Sequence, residues 1–157
     1  AGTDSPNTPE YLQSVKEKYS HVKGIIFTGY VEENDVERIF TESTIVAFPY
    51  TSTTGSSGVL HQAGSYGKAV VMPDLGDLAL LVEDEGYKGE FFNPESASSL
   101  AKAISTILED DNHRIHIAKT NYKAACALSM DKIVEMYLQK FQEIEINKMG
   151  KTLVGNV

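Results

Sequence analysis

Cysteine is nearly absent from this 157-residue sequence. The one example, Cys126, excludes an internal disulfide and a cysteine-rich metal site, and points to a reducing compartment. Long apolar runs are missing too. None approaches the roughly 20 residues that a membrane-spanning helix needs. No charged-then-apolar leader precedes Tyr11, so nothing here reads as a secretion signal, and a cytoplasmic location is expected. Basic residues are outnumbered, with 14 Lys and Arg against 22 Asp and Glu, for a formal charge of −8. An acidic surface repels phosphate backbones, which argues against nucleic acid as a main partner. The acids fall in short groups such as Glu83-Asp84-Glu85 and Glu109-Asp110-Asp111, the pattern of solvated helix ends and loops, and no metal is expected. Internal repeats, low-complexity tracts and interdomain linkers are lacking. Residues 1–147 therefore read as one α/β domain, with 148–157 as a tail.

What is present is an alternation of helical and strand-like segments. Thr8 to Ser20 is expected to be helical, with Thr8 as N-cap and Pro9 at its first position. Gly24-Ile25-Ile26-Phe27-Thr28 is a β-rich run. Glu32 to Glu42 places Val36, Ile39 and Phe40 on one helical face. Ile45-Val46-Ala47-Phe48 is an unbroken apolar strand ending at Pro49, which implies burial on both faces within a parallel sheet. A helix from Val59 to Tyr66, a strand over Ala69 to Met72, a helix from Leu78 to Glu85 and a strand over Glu90 to Phe92 follow. Ser96 is placed to cap a helix containing Leu100, Ala103, Ile104, Ile107 and Leu108. Two more helices span 114–128 and 130–147, with Ser129 capping the second. This order is that of a doubly wound, Rossmann-like parallel sheet, with Ile25, Val46 and Val70 in adjacent or near-adjacent strands. The opening Ala1 to Pro6 is turn-rich, of the kind that follows a strand. The domain thus reads as lacking its first strands, unless Thr152-Leu153-Val154 supplies one.

The stretch most suggestive of chemistry runs from Phe48 to Leu60. A buried strand stops at a proline, a loop of small hydroxylated residues follows, and Gly55 and Gly58 bracket a helix start. In open α/β sheets ligands bind beyond the carboxyl ends of the strands. There the N–H groups of a helix N-terminus, backed by its dipole, accept an anion that glycine lets approach. From spacing alone the loop reads rather as a flexible connection whose Ser and Thr residues cap the helix, because a lone Gly-x-x-Gly is a weak signal.

From Lys23 to Phe141 the order of motifs resembles the retaining glycosyltransferases of family 4. Ile26-Phe27-Thr28-Gly29-Tyr30-Val31 is similar to that family's strand-Gly-x-Val segment. Gly55 through Val71 resembles its Gly-rich loop, helix and strand, and Asp74-Leu75-Gly76-Asp77-Leu78 its Asp-Val-Gly-Gly-Leu turn. Gly89 to Pro94 and Ser129 to Leu138 continue the match. The resemblance implies the donor-binding, C-terminal half of a GT-B enzyme of hexosyltransferase type, working in carbohydrate biosynthesis. Its substrate would be a nucleotide-sugar, with no cofactor, and a separate N-terminal domain would hold the acceptor. It further implies a diphosphate on Gly55, Ser56, Ser57 and Gly58, a base by Tyr30 and Val31, a ribose at Gln62 and the transferred sugar at Thr54. No catalytic residue is implied. The family usually carries glutamates where Thr54 and Gln62 stand here, and one near Leu80. Its diphosphate-neutralising Arg and Lys fall on segments upstream of Ala1. Loss of both glutamates keeps open a non-catalytic, glycosyltransferase-like binding or regulatory subunit. An unrelated receiver-type domain would need acidic residues clustered at strand ends, and only Asp74 comes close.

Other polar residues have plainer readings. His61 is expected on a helix surface or half-buried, with no acidic partner spaced to orient it. His113 and His116 read as surface residues, because two ligands do not make a metal site. Cys126 reads as a small core residue. Tyr30 is placed equally well to flank a base or to pack at a strand's end.

Overall fold

The computed structural model describes residues 1–52, 57–127 and 129–154. The chain divides into two compact units, Ala1–Glu42 and Ser43–Val157.

In the first unit, helix α1 is Tyr11–Lys18 and α2 is Glu33–Glu42. The start of α1 departs from the expected cap. Ser5 and Thr8 close a turn, with the Thr8 N–H donating to the Ser5 carbonyl at 2.9 Å, and this takes Pro9 out of the helix. Glu10 stands at the N-cap in the left-handed region, with φ 67°, and its side chain makes no cap bond. Asp4 does that work from further back, its Oδ1 accepting the Leu12 N–H. The β-rich run at 24–28 forms no strand here. Gly24 and Gly29 bracket it at φ +89° and +68°, and no described residue pairs with it in a ladder. Ile26 is left 83% exposed.

The second unit carries the sheet. Among the described residues it has three strands in the order β1-β2-β3: Ile45–Ala47, Ala69–Pro73 and Glu90–Phe92. Both pairings are parallel, with Val46 opposite Val70 and Met72 opposite Phe91. All five residues of β2 are buried, as a central strand of alternating faces requires. β1 lies at the edge, so Ile45 and Val46 are only half-buried and Ala47 is exposed, against the expected burial of both faces. Phe48, next in the chain, is buried.

Helices α3 (Gly58–Ser65) and α4 (Asp77–Asp84) are the two crossovers. Both step the same way across the sheet, so right-handed connections put them on one face. Leu60, Ala63, Leu78 and Val82 are their buried residues. The other face of β2 presents Ala69 and Val71 to Ala103 and Ile107 of α5 (Ala97–Glu109) and to Ile117 of α6 (Asp111–Ala127). Ser96 caps α5, its hydroxyl accepting the Ser99 N–H at 3.2 Å. α6 runs across the amino ends of the strands. Its Asn121 is fully buried, accepts the Lys88 N–H at 2.8 Å and donates to the Lys68 carbonyl at 3.1 Å. Those two residues lie just before β3 and β2. The last helix, α7, is Met130–Val154, so Thr152-Leu153-Val154 extends a helix and supplies no strand. Ser129 stands at its start, with the Lys132 N–H 3.4 Å from the hydroxyl.

Candidate functional site

Because α6 clips the amino ends of β2 and β3, the carboxyl ends are where an α/β sheet opens to ligands. β1 ends at Ala47, and the chain passes Phe48 and Pro49 before α3 begins at Gly58. Thr54, Gly55 and Ser56 lie outside the described residues. Ser57 is the N-cap of α3, half-buried, with extended backbone and no side-chain cap bond. Its carbonyl accepts the Leu60 N–H at 2.9 Å. The hydroxyl is thus not spent on the helix, which is the outcome the plain capping reading did not expect. Gly58 is exposed, and a Cβ added to it would meet nothing within 4 Å. The first amides of a helix have no partner inside it. Here the second of them, at Gly58, belongs to a residue without a side chain.

One turn on, Gln62 is exposed. Its neighbour His61 turns the other way. Its Nδ1 lies 3.0 Å from the Tyr87 hydroxyl, and the two rings meet edge-on at 5.4 Å between centroids. Its Nε2 lies 3.6 Å from Glu85 Oε2, which is buried and has no hydrogen-bond partner. This corrects the expectation that His61 has no acidic partner. It also corrects the reading of Glu83-Asp84-Glu85 as wholly solvated, since Glu83 and Asp84 are exposed and Glu85 is not. Burial pushes the ionisation of Tyr87 upward, and the charges of Glu85 and then Cys126 add to it. The phenol therefore keeps its proton, and the other ring nitrogen of His61, Nε2, faces Glu85. Gly64 belongs to the same contact, because a Cβ there would sit 2.7 Å from the Tyr87 ring.

Tyr30 is 71% exposed and Val31 is half-buried, both in the first unit. Asp74 is exposed, its N–H given to the Phe92 carbonyl at 2.8 Å. Lys68 donates to the Ser43 carbonyl at 2.8 Å. His113 bonds Glu90 at 2.7 Å and His116 is exposed, and no group of metal-ligating residues occurs among the described residues. Cys126 is exposed, not a core residue, because the buried stripe of α6 is Ile117, Asn121 and Ala124. A groove of about 950 Å³, lined by Asp74, Leu80, Lys88 and His116 among others, contains none of Ser57, Gly58 and Gln62.

The sequence resemblance has an independent counterpart. The family model for glycosyl transferases group 1 matches residues 1–110, and the chain belongs to that family. No curated protein matches it. Among solved structures, the chain is similar to Anabaena HepE in complex with UDP and glucose. The TM-score is 0.76 and the identity 20%, over 90% of this chain and 39% of that one. It is similar to sucrose-phosphate synthase from Thermosynechococcus elongatus at TM-score 0.75 and 20% identity, over 94% and 38% of the two chains. The C-terminal domain of the group 1 glycosyl transferase LpcC from Francisella tularensis aligns at TM-score 0.64 and 20% identity, over 79% and 65%. At that identity the likeness is one of fold: a parallel open sheet with helices, as in GT-B glycosyltransferases. The chain spans about 39% of the length of HepE. No helix among the described residues is long and apolar enough to cross a membrane.

Proposed function

We propose that this chain is the donor-binding half of a retaining glycosyltransferase of hexosyl type, serving cytoplasmic carbohydrate biosynthesis without a metal. A separate N-terminal domain would hold the acceptor. One observation carries the reading: α3 opens at Ser57 and Gly58 beyond the carboxyl end of a parallel sheet, in a chain of the group 1 glycosyl transferase family. The ligand class it suggests is a nucleoside diphosphate, the class that HepE binds as UDP. The Gly55 to Gly58 segment would receive the diphosphate on backbone N–H groups at the positive end of the helix dipole. Gln62 would bond the ribose, and Thr54 would face the sugar. The domain's contribution to rate is then orientation and stabilisation of charge on the departing diphosphate.

A second reading is supported by Thr54 and Gln62, which stand where the family places carboxylates: a glycosyltransferase-like subunit that binds a partner and no donor. Calorimetric titration of UDP and UDP-glucose into the full chain separates the two. Neutral hydrogen bonds are about half as strong as charge-assisted ones, so wild-type affinity is expected to be modest and Gln62→Glu to tighten it. Gln62→Ala is expected to weaken it with little change in melting temperature, since Gln62 is exposed. Gly58→Val, at a position open on the protein's side, is expected to cost about 1–3 kcal/mol of binding. No saturable binding in any variant would sink the donor reading and leave the subunit reading.

A further inference from the structure

His61 and Gln62 are consecutive on a helix of only two turns, and their side chains diverge by roughly 100°. A helix this short is held in rotation by few contacts. On its buried side those contacts are Leu60 and Ala63 in the core, Gly64 against the Tyr87 ring, and His61. His61 is the polar member. It is hydrogen-bonded to the Tyr87 hydroxyl at 3.0 Å and lies 3.6 Å from the buried Glu85 Oε2, two groups from the segment that links α4 to β3. That segment is firmly fixed: the Tyr87 N–H donates to the Val82 carbonyl at 2.9 Å, and the Lys88 N–H is held by buried Asn121.

We propose that His61 is a positioning residue for the donor seat. It pins the rotation of α3 to the α4–β3 segment, and so sets the direction of Gln62 and of the Ser57 and Gly58 amides. The inference rests on the donor-binding reading of those groups. It assigns His61 no contact with the ligand, and the imidazole serves as a bridge that a nonpolar ring of the same shape cannot replace.

The test is a double-mutant cycle with UDP as the probe. His61→Phe keeps a ring against Tyr87 and removes both nitrogens. In the wild-type background it is expected to weaken UDP binding about three- to ten-fold, the scale of one lost polar link. In a Gln62→Ala background the same change is expected to cost measurably less than in wild type, since one of the aimed groups is gone and only the Ser57 and Gly58 amides remain to be displaced. Tyr87→Phe, which deletes one oxygen, is expected to weaken binding similarly and not to add to His61→Phe. Equal costs of His61→Phe in both backgrounds would mean a general structural role and would overturn the proposal. Should His61→Phe fail to fold, Tyr87→Phe carries the cycle. Should the wild-type chain bind no UDP, the donor reading falls and ligand-free amide resonances judge the clamp. Shifts at Gly58 and Gln62 on Tyr87→Phe, with Phe92 unmoved, would support it, and unmoved Gly58 and Gln62 signals would overturn it.

Discussion

Tyr87 shows how much one side chain is asked to do here. It is 3% exposed, it fills the space that Gly64 leaves, and its hydroxyl is hydrogen-bonded to His61 Nδ1. Its ionisation is pushed up by burial first, then by Glu85, then by Cys126. The folded state therefore holds the phenol proton more firmly than the unfolded chain, whose tyrosines titrate near pH 10. The stabilisation is fully present below that pH and is lost as pH rises through the folded value. Thermal melts between about pH 9 and pH 11 are expected to fall more steeply for wild type than for Tyr87→Phe. Parallel slopes would show that the phenol adds nothing to alkaline unfolding. None of this was legible in the sequence, because His61 and Tyr87 are 26 residues apart and meet only through the packing of α3. What was legible of Gln62 is its place on a helix, since the loop–helix–strand pattern that ends in Val70-Val71 is local, while its role at a ribose is what the family resemblance implies.

At the scale of elements, legibility follows how local the determinants are. Ser96 precedes an amphipathic run and caps it, since cap and helix are neighbours in the chain. Ser96→Ala should lower stability by about 1 kcal/mol through the orphaned Ser99 N–H, read as a fall in melting temperature without loss of cooperativity. An unchanged midpoint would mean that Ser98, whose hydroxyl lies 3.2 Å from that of Ser96, takes over the cap. β2 was equally plain, because Ala-Val-Val-Met has no polar face to show to water and all of it is buried. Thr8 was misleading, since Ser5 and Thr8 close a turn that excludes Pro9 and Asp4 reaches the helix from outside the usual cap position. The segment 24–28 has the composition of a strand, yet a strand exists only through a neighbour. Composition cannot report whether one is there. β1 failed in a milder form: its residues are apolar enough for a sheet's centre, and order within the sheet puts them at its edge.

For the molecule as a whole, the division of labour between the two units is the main physical fact. Among the described residues every buried hydrophobic one lies between Phe48 and Ala124, and none of residues 1–42 is buried. In the first unit α2 is held on its surface by Arg38, paired with Asp35 at 3.0 Å and Glu42 at 3.3 Å, both exposed and so worth little. Apolar burial is the dominant favourable term in folding, so cooperative stability should reside in Ser43–Val157. Two measurements check this. In native-state hydrogen exchange, the amides of Val70 and Val71 should open only with global unfolding, while those of residues 1–42 exchange through much smaller openings. A chain cut to Ser43–Val157 should keep a single cooperative melt within a few degrees of the full chain, because Leu60, Met72, Ile107 and Ile117 lose none of the contacts in their own core. Loss of the cooperative transition on truncation would mean that the first unit supplies stability that its exposed side chains do not reveal. The Ser43–Val157 core would then be incomplete without it.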